Sequence, residues 1–83
     1  MVLHLGMRIE PANLLISATF SASASRAAHL RGRVIALAES AASREAFLAG
    51  LADIARVERV VLEMGPVDRD EVAFYLWEPA EQA

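Results

Sequence analysis

Two histidines and several charged side chains are the residues of this sequence that are suited to proton transfer. His4 and Arg8 lie in an alternating segment at the start of the chain, and Glu63 lies in a later Val-rich segment. An imidazole titrates near neutral pH and a carboxylate can orient it, so His4 with Glu63 or Arg8 is a candidate acid–base pair. Sequence spacing alone gives neither His4 nor His29 a partner, and we assign no catalytic residue.

The sequence lacks the common motifs of enzyme and metal sites. It contains no Gly-rich phosphate loop, no G-x-S-x-G elbow and no H-E-x-x-H pair. With no Cys there is neither a disulfide nor a thiolate metal cluster. Asp68, Asp70 and Glu71 lack the glycine and the terminal glutamate of a calcium loop. We therefore predict no metal and no cofactor.

All eight basic residues are arginines, and four of them, Arg26, Arg31, Arg33 and Arg44, lie between Ser21 and Glu45. They could contact phosphates, but nucleic-acid-binding domains usually carry a net positive charge. This chain has a net charge of −3 and a pI of about 5.2. The arginines therefore indicate a solvated helix surface, and we predict no nucleic-acid partner.

A chain of 83 residues, 55% of them hydrophobic, is typical of one small globular domain spanning residues 1–83. Its longest uncharged run, Pro11 to Ser25, is too short to cross a bilayer. A signal peptide cleaved after Ala22-Ser23-Ala24 would need a basic leader where Glu10 and Pro11 stand. We predict a cytoplasmic protein with no membrane partner.

The N-terminal residues predict two strands. Val2 to Ile9 alternates, with Leu3, Leu5, Met7 and Ile9 on one side. Leu14 to Phe20 is favoured as the second strand, joined through a turn at 10–13, because Pro presets a turn and Asn tolerates left-handed geometry. The alternative is a helix that begins at Pro11.

Two helices are predicted next. Ser23 or Ser25 can cap the first helix, along which Leu30, Val34, Leu37 and Ala41 follow helical spacing. Gly32 weakens this prediction, and a hairpin over residues 21–42 is the open alternative. Ser43 can cap a second helix, whose apolar stripe is Phe47, Leu51 and Ile54.

The C-terminal residues predict two more strands, Val57 to Met64 and Val72 to Trp77, with a turn that begins at Gly65-Pro66 and extends to Glu71. The order strand, strand, one or two helices, strand, strand predicts an α+β fold. Its sheet is expected to be four-stranded and mainly antiparallel, with ferredoxin-like character and with the helices on one face.

The last strand is apolar on both sides, because Val72, Phe74 and Leu76 alternate with Ala73, Tyr75 and Trp77. The outer face of such a sheet is usually polar. We therefore predict a ligand or interface surface and a homo-oligomer; the alternative is that the two aromatic rings pack on local loops or on the C-terminal tail. The residues assigned to this surface are Tyr75, Trp77, Val61, Leu15 and His4, with Val2, Arg8, Ser17, Thr19 and Glu63 beside them.

The segment from Phe47 to Val61 is similar to the helix-into-strand ending of small regulatory and ligand-binding modules with ferredoxin-like topology, and Gly65-Pro66-Val67-Asp68 resembles their next turn. The resemblance covers about a third of the chain and defines no single family. Dimeric α+β barrels, among them cofactor-free monooxygenases, pair such sheets face to face. That likeness of fold implies a partner for Tyr75 and Trp77.

Two function classes follow. The first is a non-catalytic, homo-oligomerising module that binds a small ligand or a protein partner through the Tyr75 and Trp77 face. The alternative is a small cofactor-free oxygenase or isomerase of the dimeric α+β barrel type, with a cavity near His4, Tyr75 and Trp77.

Overall fold

The computed structural model describes residues 1–10, 12–68 and 70–79. Two strands, two helices and two strands follow one another, which confirms the predicted α+β class and the order of elements. Pro11, at the centre of the predicted first turn, lies outside the described residues. The elements are β1 (Val2–Ile9), β2 (Leu14–Ser21), α1 (Ala24–Ser40), α2 (Arg44–Glu58), β3 (Val61–Asp68) and β4 (Glu71–Trp77).

The sheet is mixed, so the expectation of a mainly antiparallel sheet is wrong. Its strand order is β1-β2-β4-β3, with antiparallel pairs at both edges and a parallel β2–β4 pair at the centre. The two antiparallel helices return the chain to the end of the sheet where β2 finished. The next strand therefore runs opposite to β2 and the one after it runs parallel to β2. Because β4 takes the inner position, the central pair is parallel.

The ferredoxin-like character is also wrong, because that topology is β-α-β-β-α-β and this chain places both helices between two hairpins.

The third strand continues through the segment that was predicted to be a turn. β3 runs to Asp68, and its pairing with β4 shifts register between Met64 and Val67. Proline has no backbone N–H, so a strand that contains Pro66 is confined to an edge or a bulge. β4, which is apolar on both sides, takes the inner position.

Both predicted helices and their caps are confirmed, and residues 24–40 form a helix, not a hairpin. The hydroxyls of Ser23 and Ser43 accept from the backbone N–H groups three residues later, at 3.4 and 3.1 Å. α2 extends to Glu58, so the prediction of a strand from Val57 is wrong by four residues. Arg59, with φ 58°, ends the helix in the left-handed conformation.

The core lies between the helices and one face of the sheet. It includes the predicted stripe of α2 and the inward sides of the strands, and all of its large members are apolar. Neither helix in the described part of the chain is long and apolar enough to span a membrane. The largest fully buried side chains are Phe20, Phe47, Ile9, Leu14, Ile16, Leu30, Leu51, Leu76, Val34 and Val72.

Candidate functional site: the open face of the sheet

The sheet face opposite the helices, here called the open face, carries every residue that was assigned to the candidate site. Strand pairing aligns its side chains in four rows across the sheet. The Trp77 row is Val2, Ser21, Trp77 and Val61; the Tyr75 row is His4, Thr19, Tyr75 and Glu63; the Arg8 row is Arg8, Leu15, Glu71 and Asp68. Between the last two rows lies a row of small residues, the trough: Gly6, Ser17, Ala73 and Gly65.

Apolar side chains are concentrated at one end of the open face. Tyr75 and Trp77 are half-buried, as is Val61 on the neighbouring edge strand. Val2 is 54% exposed, and Leu15, in the Arg8 row, is 37% exposed. No helix of the described residues covers these side chains, which leaves both rings in partial contact with water.

Polar groups fix the side chains next to the aromatic rings. The indole Nε1–H of Trp77 donates a 3.0 Å hydrogen bond to Oε1 of Glu63. His4 Nδ1 lies 3.2 Å from the hydroxyl oxygen of Thr19. On the Arg8 row, Nη1 of Arg8 donates to Oδ1 of Asn13 at 3.1 Å, which ties β1 to the turn that leads into β2.

The structure does not bring His4 and Glu63 together as an acid–base pair. β1 and β3 are opposite edges of the sheet, so three strand spacings, about 14 Å, separate the two backbones. Arg8 likewise contacts Asn13 and not His4 in the described residues. The predicted proton-transfer pair therefore has no geometric support within one copy of the chain.

The trough forms a shallow depression of about 240 Å³. An added Cβ at Gly65 would lie 3.4 Å from Cβ of Ala73, so glycine keeps this end of the trough low. Its polar lining residues are Ser17, Thr19, Tyr75 and Glu63. The depression includes Tyr75 from the predicted set, but not His4 or Trp77.

Charge is unevenly distributed across the open face. The β1 edge carries His4 and Arg8, whereas β3 and β4 carry Glu63, Asp68 and Glu71. One edge is therefore basic and the opposite side acidic. Of these residues the sequence placed only His4, Arg8 and Glu63 on one face, because Asp68 and Glu71 were expected in a turn; the strand order separates all five by sign.

A second polar cluster, which sequence reasoning missed, joins the two helices. Glu58 at the end of α2 accepts from Arg26 Nη1 at 2.9 Å and contacts His29 Nε2 at 3.0 Å. Arg33 Nε lies 3.6 Å from the same carboxylate, whose side chain is only 12% exposed. The spacing of the three bases along α1 was the available signal, because i, i+3 and i+7 share one helix face.

This cluster joins three parts of the fold through ion pairs and hydrogen bonds. Its members are Arg26, His29, Arg33, Glu58 and Glu78. Arg26 also donates to the backbone carbonyl of Glu58 at 2.6 Å and lies 3.5 Å from the Glu78 carboxylate. Hydrogen bonds from His29 and Arg26 hold the pKa of Glu58 below its ordinary value. Arg26 thereby links the start of α1, the end of α2 and the segment after β4.

The described residues contain no group of three or more His, Asp or Glu side chains placed to hold a metal ion. A comparison with known protein families, with curated proteins and with solved structures found no match to this chain. The open face and its trough are therefore the candidate functional site.

Proposed function

We propose that this chain is a non-catalytic, homo-oligomerising module in which a second copy covers the open face and a small ligand binds at the trough. The observation that carries the proposal is the half-buried pair Tyr75 and Trp77 on a face that the helices of the described residues leave uncovered. Aromatic rings with one polar atom are enriched at protein interfaces, where the ring is buried and the polar atom is hydrogen-bonded.

The area of the face agrees with a small interface. Four strands at about 4.8 Å and seven residue steps at about 3.3 Å give a projected area of about 450 Å² per copy. Two copies would bury about 900 Å² of projected area, to which the surface of the protruding side chains adds. This is close to the lower end of specific interfaces, at about 1,000 Å².

The lining of the trough supports a small polar ligand. Three hydroxyl-bearing residues, Ser17, Thr19 and Tyr75, and the acidic Glu63 line a depression that also contains Gly65 and Ala73. Few precisely placed polar groups in a concave site are typical of small-molecule binding. The depression of one copy, about 240 Å³, is smaller than the usual pocket of about 300 Å³ or more, so a covering copy would complete it.

The test is the solution mass by light scattering across a range of concentrations. We expect a dimer for the wild type and a monomer for the Tyr75→Ala/Trp77→Ala double variant at the same concentrations. Val57→Ala, which truncates an exposed apolar side chain on α2, is the matched control and should leave the mass unchanged. A monomeric wild type, or a double variant that still dimerises, would contradict the proposal.

A further inference from the structure

We infer that two copies stack their open faces about a two-fold axis parallel to the strands, so that the basic β1 edge of each copy lies over the acidic β3 edge of the other. This inference rests on the proposed self-association and adds the orientation of the partner. A two-fold axis makes each contact occur twice, because the same surface is used by both copies.

The orientation follows from the rows of the open face. Rotation about an axis along the strands places each row of one copy over the same row of the other. It also places β1 over β3 and β2 over β4 of the second copy. His4 then lies over Glu63 of the second copy, and Arg8 lies over the end of β3 and within reach of Glu71 in the same row. Both basic residues of one copy therefore meet acidic residues of the other, which stabilises the pair and orients it.

Side-chain sizes are also complementary in this orientation. Tyr75 lies over Thr19 of the second copy, and Trp77 lies over Ser21, so each large ring meets a small hydroxyl residue. Val2 lies over Val61 at the apolar end. Facing sheets pack about 10 Å apart, a gap that one large and one small side chain fill together.

The competing two-fold axis lies across the strands and places each strand over its own copy. His4 and Arg8 would then gather with their equivalents on one side, and the acidic residues would gather on the other. Like charges brought together at an interface disfavour association. The charge pattern therefore selects the axis parallel to the strands.

One consequence concerns the trough. With the axis parallel to the strands, the trough of one copy faces the trough of the other, and the two depressions join into one cavity between subunits. Its volume would be about twice the 240 Å³ of a single depression, within the range of small-molecule sites. With the other axis, the Tyr75 row would fill the trough and no cavity would remain.

The experiment exchanges charges between copies. Arg8→Glu alone and Glu71→Arg alone each bring like charges within reach of one another across the interface, and each should weaken the dimer at least about tenfold, because the contact occurs twice. An equimolar mixture of the two variants restores both opposite-charge contacts. We expect native mass spectrometry to detect the heterodimer at close to wild-type strength.

Arg8→Gln and Glu71→Gln are the neutral controls, which should weaken the dimer less than the charge reversals do. Ser17→Leu, which fills the trough, should leave dimerisation intact, whereas the competing axis predicts its loss. The orientation would be overturned if the wild type dimerises and neither charge variant weakens the dimer. It would also be overturned if both variants weaken the dimer and their mixture does not restore it. A monomeric wild type would instead refute the proposed self-association itself, so the two failures are distinguishable.

Discussion

Trp77 on the inner strand β4 donates its indole N–H to Glu63 on the edge strand β3, at 3.0 Å on the open face. The hydrogen bond joins the largest side chain of that face to an acidic residue at its margin. It also connects the Trp77 row to the trough, since Glu63 lines that depression whereas Trp77 does not. The orientation of the aromatic surface thus depends on a polar contact between two strands that are consecutive in sequence.

The first prediction uses the fact that Trp77 is the only tryptophan of the chain. If a second copy covers the open face, the indole loses water as the protein concentration rises, and its fluorescence emission should shift to shorter wavelength. The same titration of Arg8→Glu should show the shift only at concentrations about tenfold higher or more. An emission maximum that stays constant while light scattering records a dimer would place the interface elsewhere.

The second prediction concerns pH and the Glu58 cluster. The pKa of Glu58 in the folded chain is below its ordinary value of 4.5, chiefly because His29 and Arg26 donate hydrogen bonds to it. A depressed carboxyl pKa contributes stability that is fully present above the unfolded pKa and is lost as the pH falls through the folded pKa. Glu58→Gln should therefore lower the melting temperature at pH 7, and the difference from wild type should shrink below about pH 4.5.

Glu39→Gln on α1 is the matched control for this pH dependence. Glu39 is exposed and lies in the last turn of α1, where a negative charge is not favoured by the helix dipole. Its amide variant should be as stable as the wild type at pH 7. Equal losses for the two variants, or a Glu58→Gln difference that does not change with pH, would contradict the role given to the cluster.

Local patterns predicted the elements well because each depends on neighbouring residues. Alternation identified β1 and both of its faces, and serine hydroxyls identified the start of each helix. The sheet order could not be read in the same way, because it depends on which of two strands takes the inner position. Pro66 was the usable signal, since a proline-containing strand is confined to an edge or a bulge.

The sequence indicated which residues share the open face, but not how these residues are distributed across the sheet. Alternation within each strand, together with the expected registers, placed His4, Tyr75 and Glu63 on one face, and the strand pairing puts them in one row. Their separation across the sheet followed only from the strand order. The Glu58 cluster was hidden for a similar reason: Arg26 and Glu58 are 32 residues apart and meet only when the two helices pack antiparallel.

The third prediction compares two helical glycines. Gly32 on α1 is exposed, and an added Cβ would meet no atom within 4 Å. Gly50 on α2 packs against α1, and its added Cβ would overlap Cδ1 of Leu37. Gly32→Ala should raise the free energy of unfolding by about 0.5–1 kcal/mol, because alanine favours the helix.

Gly50→Ala should lack that gain, because the Leu37 side chain must move to admit the methyl group. Urea unfolding of both variants measures the difference. If Gly50→Ala is stabilised as much as Gly32→Ala, the close approach of the two helices at this position is wrong.

The fourth prediction concerns Arg59, which ends α2 with φ 58°. A residue with a Cβ pays a steric cost in this left-handed conformation, and glycine does not. The backbone N–H of Arg59 bonds to the carbonyl of Ala55, so the position closes the helix through its backbone alone. Arg59→Gly should therefore raise the free energy of unfolding by about 0.5–1 kcal/mol, measured by urea denaturation.

Arg56→Gly is the informative counterpart, because Arg56 lies three residues earlier in the same helix and has an exposed side chain that pairs with Asp53. There glycine should destabilise the chain by about 1 kcal/mol. Opposite signs at two arginines so close in sequence would locate the end of α2 at Arg59. A loss of stability at both positions would mean that the helix continues into the segment assigned to the turn before β3.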